Sequence, residues 1–145
     1  MNRFIRVFDE TRILFGGRDI DEIRQNIQHF LTKLLEIYKQ NVHVTELLFR
    51  EGMGHNGLFK EINENFFDKF VHLIQDHMKR DIPPDTFPSE DAETLSVFLL
   101  GVFERSAFYF MLKRKRFDTG KLARRMADFM VNGLQLNQSA AATEA

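Results

Sequence analysis

The feature that most constrains this chain is a helical period that runs through nearly all of it. From Ile20 onward, Ile23, Ile27, Phe30, Leu31, Leu34, Ile37 and Tyr38 recur at three- and four-residue spacing, while Arg24, Gln25, Gln28, Lys33, Glu36 and Lys39 fall on the other side. That spacing gathers the apolar side chains into one stripe along a helix. No stretch alternates strictly between apolar and polar residues with hairpin turns at its ends, so strands are not expected. The chain reads as all-α.

Six segments carry the pattern. The first, about Arg3 to Phe15, is expected to stop at Gly16-Gly17, the residues best able to take a left-handed cap. The second opens with Asp19 as a cap and Glu22 three residues later, in the manner of a capping box, and ends near Gln40-Asn41. A short third runs from Val42 to Arg50, before the break at Gly52 and Gly54. Asn56 caps a long fourth, Gly57 to about Arg80. It shows two apolar stripes, Phe59, Ile62, Phe66, Phe70 and Leu73 on one and Phe67, Val71, Ile74 and Met78 on the next, so it needs two neighbours. All three prolines lie within residues 83–88, which marks the main irregular connection. Ser89 caps the fifth segment, the apolar 95–112 stretch, and the sixth starts at Asp118. Residues 1–136 are read as one domain, and the polar, alanine-rich stretch 137–145 as a disordered tail.

A chain of 145 residues can bury a sizeable core without staples. Sixteen phenylalanines, two tyrosines and no tryptophan place its apolar volume in flat rings that need no hydrogen-bond partner, which suits a wide core or an apolar cavity. The absence of cysteine removes disulfide frameworks, thiolate metal sites and cysteine nucleophiles together, and fits a cytoplasmic setting. With 20 basic against 21 acidic residues there is no global field to draw the chain onto nucleic acid. The 95–112 segment, followed by Lys113-Arg114-Lys115-Arg116, has the length of a short membrane span, but Glu104 and Arg105 near its middle would each cost about 2.5–3.5 kcal/mol in a bilayer. It reads as a helix buried by protein, so no membrane partner is expected.

The chemistry of sites is sparse. The basic run 113–116 is the best local patch for phosphates, yet cations at a helix end are stabilised by the macrodipole without any ligand. His72 and Asp76 share a helix face, but two ligands are too few and no HExxH pattern exists, so no metal and no cofactor are expected. There is no GxSxG elbow, no GxGxxG and no P-loop, and no catalytic residues are assigned; an enzyme is not expected. The third and fourth segments have the outline of a helix-turn-helix, but the phenylalanines of the fourth would crowd a reading helix. Glu104 and Arg105 require partners, either as an ion pair across an interface or with Arg105 or Tyr109 meeting the polar group of a ligand.

The string Thr45-Glu46-Leu47-Leu48-Phe49-Arg50-Glu51-Gly52, followed by Leu58-Phe59-Lys60-Glu61-Ile62, resembles the ligand-binding half of TetR/AcrR-type transcriptional regulators. So do Phe98-Leu99-Leu100-Gly101-Val102-Phe103 and the stretch from Leu122 to Leu134. The resemblance implies a six-helix C-terminal-domain-like bundle whose last two helices pair with those of a second copy as a four-helix homodimer interface. It also implies a mainly hydrophobic small-molecule effector held between the second to fifth helices, with DNA bound only through an amino-terminal helix-turn-helix domain that precedes the first helix in the family and is missing here. On this reading Tyr38, Phe66, Phe70, His72, Phe103, Arg105 and Tyr109 face the effector, and Phe98, Leu122, Met126, Phe129, Met130 and Gly133 form the dimer interface. The alternative is a ligand-free helical interaction module that heterodimerises with a full-length regulator. An internal apolar cavity separates the two: a solid core favours the alternative.

Overall fold

The computed structural model describes residues 15–51, 57–82 and 91–133. Five α-helices account for most of them: α1 (Ile20–Gln40), α2 (Val42–Glu51), α3 (Gly57–Asp81), α4 (Ala92–Phe108) and α5 (Thr119–Gly133). These are the second to sixth segments of the sequence pattern. No strand occurs among the described residues, so the class is all-α. The expected first helix, the Asn56 and Ser89 caps and the tail from residue 137 lie outside the described residues.

Local chemistry sets the helix ends. The Asp19 carboxylate accepts the Glu22 amide at 2.8 Å, closing the start of α1. Glu22 reaches back one residue further than a capping box requires and accepts the Arg18 amide at 2.9 Å. Asp118 does for α5 what Asp19 does for α1, taking the Lys121 amide at 2.9 Å. The far end of α4 departs from the expected helix: Tyr109–Arg114 widens into a π-turn, and Lys115 then stops the chain in the left-handed conformation at φ 58°. A lysine there pays a steric cost that glycine avoids.

The glycines before α1 do not take the left-handed cap expected of them. Neither Gly16 nor Gly17 adopts a positive φ. What excludes a side chain at Gly17 is space, because a Cβ there would lie 2.9 Å from the backbone nitrogen of Ile23. The chain crosses the first turn of α1 too closely for any residue larger than glycine.

The most extensive contact in the fold joins α1 to α5, and the next joins α3 to α4. Ile27, Phe30, Leu31, Leu34, Leu35 and Tyr38 are buried along α1. Ala123, Met126, Ala127, Met130 and Val131 form the buried face of α5, with Ala123, Ala127 and Val131 fully inaccessible. On α3 the buried set is Phe70, Val71, Ile74, His77 and Met78, so this helix belongs to the core. From α4, Ser96, Leu99, Leu100, Phe103 and Ala107 point inward, and the Ser96 hydroxyl is satisfied by donating to the Ala92 carbonyl at 2.6 Å. The helical run 92–114 is long and apolar enough by composition to cross a bilayer, and its inward residues pack in the core of the bundle.

Because the obstacle at Gly17 is backbone, Gly17→Ala is expected to destabilise the fold by about 1–3 kcal/mol, the usual range for overpacking. Urea denaturation measures this directly, and an unchanged midpoint would refute the steric account.

Candidate functional site

Between α1, α3 and α4 lies a small apolar cavity of about 30 Å³. Phe30, Phe70, Leu99, Phe103 and Met130 contribute to its wall, and Phe15, just before α1, closes it. Ligand sites for small molecules usually span roughly 300–1,000 Å³. The cavity here is about the share of a single water molecule, and its apolar lining offers water no partners. The space between these helices is essentially filled by phenylalanine, leucine, isoleucine and methionine.

Of the residues expected to face an effector, the structure brings three together inside. Phe70 and Phe103 line the cavity, and the Tyr38 ring sits 5.3 Å from that of Phe103. Burial, aided by the nearby Glu104 charge, pushes the Tyr38 hydroxyl well above its ordinary value. Three others point away. His72 is exposed, with its Nδ1 2.7 Å from the Asp68 carbonyl, on an outer groove of α3. Arg105 is exposed over its own Phe108 ring at 5.9 Å, and Tyr109 is half exposed against Phe110. The side chain of Phe66 lies outside the described residues. Helix geometry explains the split: residues two apart diverge by about 200°, so Phe70 and His72, or Phe103 and Arg105, cannot share a face. That signal was present in the spacing and excludes His72 and Arg105 from the cavity.

The expected dimer face divides in the same way. Met126 and Met130 are 4 % exposed and belong to the core of the single chain, where Met130 walls the cavity. Phe98 and Phe129 are 62 % and 63 % exposed, Leu122 is half-buried, and Gly133 is open. The pattern misled because Ala123 and Ala127, small residues easily overlooked as an apolar face, turn α5 toward the core and carry the two methionines inward. Helices α4 and α5 touch each other only lightly, and an open groove of about 670 Å³ lies along them. Val102, Leu122 and Phe129 contribute to its floor, while Arg105, Arg114, Arg116, Lys121 and Arg125 surround it with one carboxylate, Asp118.

Glu104 is half-buried, and no described cation forms an ion pair with it. Burial raises its carboxyl pKa despite the charge of adjacent Arg105. No group of three metal-ligating side chains occurs among the described residues.

A polar cluster that sequence reasoning missed ties Phe15 to the end of α3. The Phe15 amide donates to Asp81 at 3.4 Å, and Arg80 grips the same carboxylate through Nε at 2.8 Å and a terminal nitrogen at 3.2 Å. His77 Nδ1 lies 3.6 Å from Asp81 and 2.7 Å from Arg80. An acidic residue is unfavourable in the last turn of a helix, and the arginine fork with the incoming amide offsets that. Burial works against the ionised Asp81, but the hydrogen bonds and charge of Arg80, together with the Phe15 amide, hold its carboxyl below the ordinary value. Burial, then the Arg80 charge, lowers the His77 pKa below its ordinary 6.5.

Compared with protein-family models, characterised proteins and solved structures, the chain matches none.

Since the folded chain holds His77 neutral, the unfolded chain binds more protons as pH falls through 6.5. Stability contributed by neutral His77 is therefore complete above that pH and lost as pH falls toward the lower folded value, and Asp81 continues the same trend below 3.8. His77→Gln is expected to flatten the loss of unfolding free energy between pH 7 and 5 in urea titrations; an equal slope in both proteins would refute the assignment.

Proposed function

We propose that this chain is a helical dimerisation module of the kind found in the effector half of TetR/AcrR-type transcriptional regulators, joining two copies through α4 and α5. The observation that carries this reading is the pair of phenylalanines, Phe98 and Phe129, held outward on these adjacent helices at 62 % and 63 % exposure. Val97 and Tyr109 are also exposed along the α4 run, and Leu122 lines the α4–α5 groove together with Phe129. Large apolar side chains exposed on two neighbouring helices are candidates for an interaction surface, and two helices from each chain make a four-helix interface with two-fold symmetry.

The sensing half of the reading needs room. A cavity of about 30 Å³ has no room for an effector. The filled core favours the second reading, a helical partner that pairs with a full-length regulator and needs no small molecule. Sensing by the same fold requires a minor, expanded arrangement that an apolar ligand prefers, in which the ligand takes the place of a ring such as Phe15. The two readings share the dimer surface and part only over ligand.

Two measurements test them. Phe129→Glu puts a charge in the shared surface and is expected to convert a dimer to monomer in sedimentation velocity; a dimer that persists would remove the interface. A thermal-shift screen of the wild-type chain against fatty-acyl and aromatic compounds is expected to give at least one saturable stabilisation if the core can open, following the logarithm of ligand concentration over Kd. A flat response would leave the ligand-free module as the function.

A further inference from the structure

The outward face of α4 repeats itself when read backwards. Thr94, Phe98, Gly101 and Arg105, with Tyr109 as the still helical residue that caps the end of α4, fall within about 80° of arc around the helix. Thr94, Phe98, Arg105 and Tyr109 are exposed, and a Cβ at Gly101 would meet nothing within 4 Å beyond its chain neighbours and the backbone of its own helix. Measured from a point between Gly101 and Val102, Phe98 mirrors Arg105 and Thr94 mirrors Tyr109. Each mirrored pair is also complementary. An arginine attracts an aromatic face, and a tyrosine hydroxyl donates to a threonine hydroxyl.

We infer that α4 pairs antiparallel with α4 of a second copy of this chain about a two-fold axis at Gly101–Val102, with Phe98 against the partner's Arg105 and Thr94 against the partner's Tyr109. This rests on the dimer reading above and fixes its direction and register. Gly101 sits at the crossing, where the missing side chain lets two backbones approach. The ends of the helix agree in charge. Asp91 and Glu93 are exposed at the start of α4, while Lys113, Arg114, Lys115 and Arg116 are exposed just beyond its end. Antiparallel pairing brings the acidic start of each helix beside the basic end of the other, and beside the groove that Arg114 and Arg116 flank. A parallel pair would set like charges together at both ends, which is destabilising.

The chain has no cysteine of its own, so introduced thiols report without background. In this register Thr94 lies about 22 Å along the axis from the partner's Thr94, at 1.5 Å per residue, but level with the partner's Tyr109. Thr94→Cys and Tyr109→Cys full-length chains, treated singly with a short bismaleimide, are expected to give no covalent dimer; refolded together as a mixture, they are expected to give one. Sedimentation of the same samples reads the association itself. A sedimenting dimer in which either single variant cross-links to itself, or in which the mixture fails to cross-link, overturns the register and leaves the dimer standing. A monomer in sedimentation overturns both. Arg105→Ala is expected to raise the dimer Kd about five- to thirtyfold, because the two-fold axis makes the contact with Phe98 occur twice and the variant loses both copies; an unchanged Kd removes that contact from the pairing.

Discussion

The close approach of α1 and α5 is the contact around which the other helices are arranged. Ala123 and Ala127 are wholly inaccessible, so the α5 backbone comes near the apolar stripe of α1 with little side chain between. Arg24 and Asp128 face each other across the same seam at 2.9 Å, at its partly exposed edge. With α5 drawn onto α1, α4 makes its larger contact with α3, and the space along α4 and α5 remains an open groove. The outward rings of Phe98 and Phe129 follow from that division: neither helix turns its outer face toward the other.

Filling, more than shape, decides what the interior can do. Phenylalanine needs no hydrogen-bond partner, so rings from α1, α3 and α4, with Phe15, meet without a polar atom to hold water or fix a ligand. A polar anchor lies at the periphery, where Asp81, itself held by Arg80 and close to His77, accepts the Phe15 amide at the end of α3. The ring that closes the cavity is thus tied to a titratable cluster, which links the packing of the core to acid stability.

Much of the fold was legible before any coordinates. The start of α1 at Ile20, its end at Gln40 and the start of α5 just after Asp118 follow from capping residues and apolar spacing, which act within one turn. The π-turn at Tyr109–Arg114 was not, because its sequence continues the apolar run of α4 with no glycine or proline to mark a change. Nor was the reason for Gly17, since the clash it avoids is with a backbone atom six residues away. The candidate site was only half legible. Periodicity identified Tyr38 and Phe70 as apolar-face residues, the resemblance added Phe103, and the two-residue spacing that turns His72 and Arg105 outward was equally available.

The sequence by itself determined that this chain is helical, where most of its helices begin and end, and which residues are apolar, because those properties depend on neighbours within a few positions. Only the tertiary structure decided which apolar residues are core and which are surface. Met130 and Phe129 are adjacent on one helix, yet one walls a buried cavity and the other stands in solvent. The difference depends on the rotation of α5 about its own axis. That rotation is set by where Ala123 and Ala127 meet α1, a choice made between helices about eighty residues apart in the chain and recorded in neither alone.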